Sequence, residues 1–241
     1  MAWNRRVYRE EHSHRTPGTR GCNLGCVKIK AMLSNRWDTV IFDYGRVLSH
    51  APTRAEVREF GALVGVSEPP FFQLYSGTRD EYDCGRQDCQ QHWRRFADAA
   101  GISLSRDQVQ RVVEFETQMW LRVNPQALEL AREIKAAGVR TAILSNMPHD
   151  LLEEMRKNFD WLDEFDVQIW SCEHGIVKPD PAIYRLCLNA LGCEPHRTLF
   201  FDDRPNNIEG ARQAGMKAHL FESADQAAAL VGSGLDGTAE I

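Results

Sequence analysis

Four short segments of this chain carry residues able to act together chemically. Asp43 follows the apolar run Val40-Ile41-Phe42 and precedes Gly45, Ser145-Asn146 closes a second apolar run, Lys178 stands before a proline, and Asp202-Asp203 ends a third run, Thr198 to Phe201. A carboxylate ionised near neutral pH can serve as a nucleophile and form an acyl intermediate that water later cleaves. The Ser145 hydroxyl and the Asn146 backbone N–H can donate to an anionic oxygen, and Lys178 adds compact positive charge. Three carboxylates brought together repel one another and any anionic substrate, so they demand a cation. Each segment alone is common; their order is the information.

The elements around them must bring these segments to one place. Thr39 to Phe42 reads as a buried strand, and after it residues 54 to 119 hold helical patterns only, with positions Val109, Val112, Val113 and Glu116 on one helix face. Strand and helix then alternate. Asn124-Pro125 opens a helix with Leu128, Ala131 and Ile134 on one face, and Gly138 stops it before the strand Thr141 to Leu144. Asp150 is expected to cap the next short helix, and Val167 to Trp170 reads as a strand. Asp180-Pro181 opens a helix with Ile183, Leu186, Cys187 and Ala190 on its face, stopped by Gly192; a last unit places Ile208, Ala211 and Ala214 before Gly215 and the strand Ala218 to Phe221.

This alternation predicts an α/β fold, a Rossmann-like doubly wound parallel sheet core with an inserted helical cap. The expected division is a poorly ordered N-terminal extension over 1–37, a core from 38–53 and 120–235, and the cap over 54–119. In such sheets ligands bind beyond the carboxyl ends of the strands, where Asp43, Ser145 and Asp202-Asp203 fall.

Composition narrows the partners. The chain has 241 residues, 43% of them hydrophobic, and a formal net charge of -5 with no long basic block, which argues for a small-molecule partner and against nucleic acid. No apolar stretch reaches the roughly 18 residues of a membrane span and no secretory signal is visible, so a cytoplasmic location is expected. Seven cysteines are scattered as free thiols; Cys22, Cys26, Cys84 and Cys89 have spacings too loose for a zinc site. Trp93, Trp120, Trp161 and Trp170 read as packing residues. Oligomeric state is not encoded in any pairing helix or edge strand of the sequence.

Phe42-Asp43-Tyr44-Gly45, Leu144-Ser145-Asn146, Val177-Lys178-Pro179-Asp180 and Phe201-Asp202-Asp203-Arg204-Pro205-Asn206-Asn207 resemble, in order, the four motifs of the haloacid dehalogenase superfamily. The resemblance covers residues 39 to about 222. Within that superfamily the strings around Asp43 and Asp202 look most like bacterial α-D-glucose-1-phosphate phosphatases and the phosphatase domain of soluble epoxide hydrolases. The resemblance implies a Mg²⁺-dependent phosphatase of a small phosphate ester, a sugar phosphate by that branch, with Asp43 as nucleophile. Ser145, Asn146 and Lys178 would bind the phosphoryl group. Asp43, Asp203 and the Gly45 carbonyl would hold the metal, with Asp202 either a further ligand or a residue that orients its waters.

Gly45 departs from the pattern, since many of these phosphatases carry an acid–base aspartate two residues after the nucleophile. That help commonly supplies about 10²- to 10⁴-fold in rate. His50 is a candidate replacement. The departure also leaves open a metal-independent 2-haloacid dehalogenase and a catalytically silent phosphometabolite-binding protein, although the Asp202-Asp203 pair favours the metal-dependent enzyme. Arg46 and Arg204 stand where small or amide residues are usual and read as surface residues or extra phosphate contacts. In the cap, Tyr75, Arg79, Arg86, His92 and Arg94 are the candidates to touch the leaving group.

Overall fold

Burial on both faces accounts for the central sheet. Strand β1 (Thr39–Phe42) is buried throughout, with Val40 and Phe42 in one hydrophobic cluster and Ile41 in another on the opposite face. Strand β2 (Arg140–Ser145) divides the same way, Ile143 against Ala142 and Leu144, and so does β4 (Thr198–Asp202), Leu199 and Phe201 against Phe200. Strands buried on both faces belong to parallel sheets flanked by helices. The computed structural model, which describes residues 36–67 and 70–233, has this arrangement: with β3 (Val167–Trp170) and β5 (Lys217–Leu220), the order is β3-β2-β1-β4-β5 and every pair is parallel.

Five helices separate β1 from the rest of the sheet among the described residues: α1 (Arg54–Val64), α2 (Pro70–Gly77), α3 (Asp80–Asp83), α4 (Cys89–Ala100) and α5 (Arg106–Trp120). Reciprocal bonds start three of them, between Thr53 and Glu56, Asp88 and Gln91, and Ser105 and Gln108, each side chain accepting from the other's backbone N–H. Phe60, Phe71, Trp93, Phe96 and Val112 give these helices a hydrophobic cluster of their own. The chain leaves and returns on adjacent paths, His50 N–H donating to the Arg122 carbonyl at 2.7 Å and Asn124 N–H to Leu48 at 2.8 Å.

The remaining helices cover the two faces of the sheet. On one side lie α6 (Pro125–Ala136), α7 (His149–Asn158) and α11 (Ala224–Ser233), and on the other α9 (Pro181–Leu191) and α10 (Pro205–Gln213). A single turn, α8 (Ser171–His174), follows β3. Gly210 lets α9 and α10 approach: a Cβ there would sit 2.9 Å from the Tyr184 ring and 3.0 Å from Pro179.

Several expectations need correction. Trp37, placed in the N-terminal extension, is buried in the core and donates from Nε1 to the Val231 carbonyl at 3.2 Å. Residues 1–35, with Cys22 and Cys26, lie outside the described residues, while Cys84 and Cys89 are free thiols. Asp150 does not cap α7, which begins at His149 after Pro148; its carboxylate instead accepts from the Tyr82 hydroxyl at 2.9 Å. The buried face of α9 is Ile183, Tyr184, Cys187, Leu188 and Leu191, leaving Leu186 half-buried and Ala190 exposed, because the face follows the i, i+1, i+4, i+5, i+8 stripe.

Candidate active site

Parallel register brings the chemical residues to one edge. Phe42 pairs with Phe201 and with Ile143, so Asp43 and Asp202 emerge side by side, and Asp43 N–H continues the ladder to the Phe201 carbonyl at 2.9 Å. After Asp43 the chain makes a wide turn over Tyr44–Leu48, where Arg46 adopts a left-handed backbone, φ 61°. Gly45 has an ordinary extended backbone, φ -64° and ψ 123°, and a Cβ there would meet the Trp120 ring at 3.7 Å, an ordinary contact.

Lys178 is the hub of the site. Its ammonium is buried and lies 2.9 Å from Asp43 Oδ1, 2.6 Å from Asp202 Oδ2 and 2.8 Å from the Leu144 carbonyl. The Asn146 side chain fixes its backbone, Nδ2 donating to the Lys178 carbonyl at 2.9 Å while Oδ1 accepts from the Lys178 N–H at 2.8 Å. Sequence reasoning assigned Asn146 to the phosphoryl group through its backbone; its side chain has this separate task. Ser145, at the end of β2, is buried and lines the cavity in front of Asp43.

The three carboxylates differ in what remains free on them. Asp202 is fully buried and its oxygens accept from Lys178, from Asn207 Nδ2 at 3.0 Å and from the Arg204 N–H at 2.8 Å. Asp43 takes both its protein donors, Lys178 and the Tyr44 N–H at 2.7 Å, on Oδ1, so Oδ2 has no protein donor among the described residues. Asp203 meets Arg46 Nη1 at 3.1 Å, a guanidinium that is otherwise largely exposed.

One oxygen from each of Asp43, Asp202 and Asp203 lies within 4.8 Å of the others. Burial pushes Asp43 up to about 6, against the pull of Lys178 and with the negative charges of Asp202 and Asp203 adding to the rise. Burial and Asp202 likewise raise Asp203. Burial works against the Lys178 ammonium, but Asp202 and Asp43 outweigh it and hold its pKa above the ordinary lysine value. Carboxylates displaced upward around a single buried ammonium are a donor set that fits a hard divalent cation, and Asp43 and Asp203 are the two with oxygens to offer.

These groups form the floor of a cavity of about 320 Å³ whose opposite wall is built by the cap. Val57, Phe60, Phe71, Phe72, Met119 and Trp120 line that wall. Of the cap candidates, Tyr75 and Arg79 reach the cavity. Arg79 is held by both oxygens of Asp83, by the Tyr75 hydroxyl and by Glu116, and Tyr75 donates to Glu116 at 2.6 Å. Glu116 thus occupies a buried helix face as the partner of two cap residues.

Arg86, His92 and Arg94 do not line the cavity. Arg86 pairs with Glu81 and the Gly175 carbonyl, and His92 is buried against Tyr82, its pKa pushed down to about 3 by burial and by Arg79, so the imidazole stays neutral. His50 is exposed and also lies outside the cavity.

Sequence reasoning missed the residues that dock the cap. The Ser171 hydroxyl accepts from the Met147 N–H, next to Ser145-Asn146, at 2.9 Å and donates to the Asp83 carbonyl in α3. It missed the apolar wall too, although one signal was available: Phe71 and Phe72 are adjacent on a helix, about 100° apart, and both cannot face the cap core.

Residues 37–215 match the model of the haloacid dehalogenase-like hydrolases. Bifunctional epoxide hydrolase 2 of Sus scrofa is 31% identical over 151 residues, 58% of this chain and 25% of that protein, so the chain spans about a quarter of that relative. A sesquiterpene phosphatase of Aspergillus oryzae is 25% identical over 190 residues, covering 76% of this chain and 89% of the relative. An enzyme of the same family from Bacteroides thetaiotaomicron, solved with magnesium and inorganic phosphate, superposes with a TM-score of 0.61 at 19% identity over 76% of this chain and 93% of that one, which shows the shared fold. With the strand-end aspartates, the buried lysine and the family model in agreement, the chain belongs to the haloacid dehalogenase-like hydrolases.

Proposed function

We propose that this hydrolase is a Mg²⁺-dependent phosphatase of small phosphate esters that works through a phosphorylated Asp43. The observation that carries the reading is the charge imbalance at the strand ends: three carboxylates stand together with one buried ammonium, which bridges Asp43 and Asp202, and one exposed guanidinium, Arg46 on Asp203, and Asp43 and Asp203 keep oxygens for a cation. Asp43, Asp203 and the Gly45 carbonyl would hold Mg²⁺, which when bound offsets the charge of the carboxylates and of the phosphoryl group. Relatives named as phosphatases support the same reading.

Lys178 and the Tyr44 N–H hold Asp43 through Oδ1, and its carboxylate lines the cavity. One oxygen of the Asp43 carboxylate attacks phosphorus while the other would face the cation, the bond to the ester oxygen breaks, and the departing alkoxide takes a proton from water, since Gly45 brings no acid to this place. Ser145, the Asn146 N–H and Lys178 are the donors available to the phosphoryl oxygens. Water then attacks phosphorus and gives up its proton to solvent. The bond to Asp43 breaks, inorganic phosphate leaves and the carboxylate is restored.

The test is phosphate release with Mg²⁺ or EDTA, followed by a single turnover in ¹⁸O-water. The label is expected in phosphate and absent from Asp43. Label in Asp43 would place the water's attack on the carboxyl carbon rather than on phosphorus, while the absence of any Mg²⁺-dependent phosphate release would overturn the phosphatase reading.

A further inference from the structure

We propose that the ester hydrolysed at Asp43 is that of an apolar alcohol whose hydrocarbon part rests on Phe71, Phe72, Met119 and Trp120; this rests on the phosphatase reading and specifies its substrate. The cavity is two-sided. The floor carries the carboxylates, Lys178 and the donors for a phosphoryl group, while the cap side presents aromatic and aliphatic side chains together with Tyr75, Ser76, Arg79 and Asp83.

Polar side chains of the cap that reach the cavity are Tyr75, Ser76, Arg79 and Asp83. Arg79 is bound to Asp83, Tyr75 and Glu116, Tyr75 is bound to Glu116 as well, and the fourth, Ser76, is exposed. A sugar phosphate, expected from the resemblance, would bring several hydroxyls against this wall and leave them without the partners they have in water. A hydrocarbon loses nothing there and gains contact with the rings.

Phe72 supplies a second, independent observation. Its side chain faces away from the cap cluster, stays 46% exposed and lines the cavity beside Phe71, their rings 6.1 Å apart. A large aromatic left in water at the edge of a site whose other wall binds phosphate is a surface for the remainder of the same substrate. Chains longer than the cavity can pass out over this ring.

Hexyl phosphate and glucose 6-phosphate test the assignment, since both are six-carbon esters of a primary alcohol and differ in hydroxylation. Benzyl phosphate, butyl phosphate and acetyl phosphate complete the panel, all with Mg²⁺. One methylene in an apolar pocket is worth about 10- to 200-fold. The expected result is a kcat/KM for hexyl phosphate about 10²-fold or more above glucose 6-phosphate and about tenfold or more above butyl phosphate. Phe72→Ser is expected to narrow the hexyl-to-glucose ratio by about tenfold. Either order of hexyl and benzyl phosphate supports the inference and says whether the hydrocarbon is aliphatic or aromatic. Equal rates on the two six-carbon esters, or a ratio untouched by Phe72→Ser, overturn the inference, while turnover of acetyl phosphate leaves the phosphatase reading standing. No phosphate from any of the esters or from acetyl phosphate overturns both.

Discussion

The floor and the wall of the cavity use buried charge in different ways. On the floor Lys178 is shared between Asp43 and Asp202, and the carboxylates around it remain in excess, so the site is electrostatically unfinished. On the cap side Arg79 is likewise buried between two carboxylates, Asp83 and Glu116, but a tyrosine hydroxyl and the Tyr75 and Tyr82 rings enclose the group. Both clusters are costly to break, because removal of one partner strands a buried charge. The floor leaves Asp43 Oδ2 without a protein donor among the described residues, while the cap cluster spends its polarity on holding α2, α3 and α5 together.

Variants can break this contrast in descending order of effect. Asp43→Asn is expected to lower phosphate release from every ester by at least about 10³-fold while the fold is kept, read from single-turnover assays beside a circular dichroism spectrum. Lys178→Met on the floor and Arg79→Met in the cap are each expected to cost about 3–5 kcal/mol in urea unfolding. Only Lys178→Met should also abolish turnover of acetyl phosphate, which offers the cap nothing larger than an acetyl group to read. Gly210→Ala, which forces a Cβ against Tyr184 and Pro179, is expected to cost about 1–3 kcal/mol. Ser171→Ala is expected to cost about 1 kcal/mol and to raise KM, since Ser171 ties the Ser145-Asn146 loop to α3.

A pH series separates the two clusters without mutation. Folding raises Asp43 from 3.8 to about 6, so the folded chain holds that proton more tightly than the unfolded one. Its contribution to stability is complete below 3.8 and is lost as the pH rises through about 6. In EDTA the unfolding midpoint should therefore carry a downward step over that window. Mg²⁺ should raise the midpoint more at pH 7.5 than at pH 5, where Asp43 is largely protonated. A Mg²⁺ shift equal at both pH values would contradict the placement of the cation on Asp43.

The strands and the floor were readable because their signals are local. A short apolar run followed by Asp43 or by Asp202-Asp203 states both the element and the place of its last residue, and parallel register does the rest. The distinction between the two adjacent aspartates was not readable, since it depends on Asn207 and Lys178 arriving from other elements to occupy Asp202. The cap residues were hardest for the same reason. Arg79, Arg86, His92 and Arg94 look alike as polar residues of amphipathic helices, and only packing shows that Arg79 reaches the cavity, His92 is entombed beside Tyr82, and the others face elsewhere. Asp150 was misread because a carboxylate near a helix start satisfies a cap rule equally well whether it bonds backbone or, as here, the Tyr82 hydroxyl across the cap boundary.

Trp37 and Val231 touch at the edge of the sheet where β1 begins, the end away from Asp43. A fusion partner attached before Trp37 or beyond α11 would therefore emerge on the far side of the molecule from the cavity mouth. Reporter proteins or affinity handles at either position should leave substrate entry unobstructed, and a tether joining the two positions would need little length.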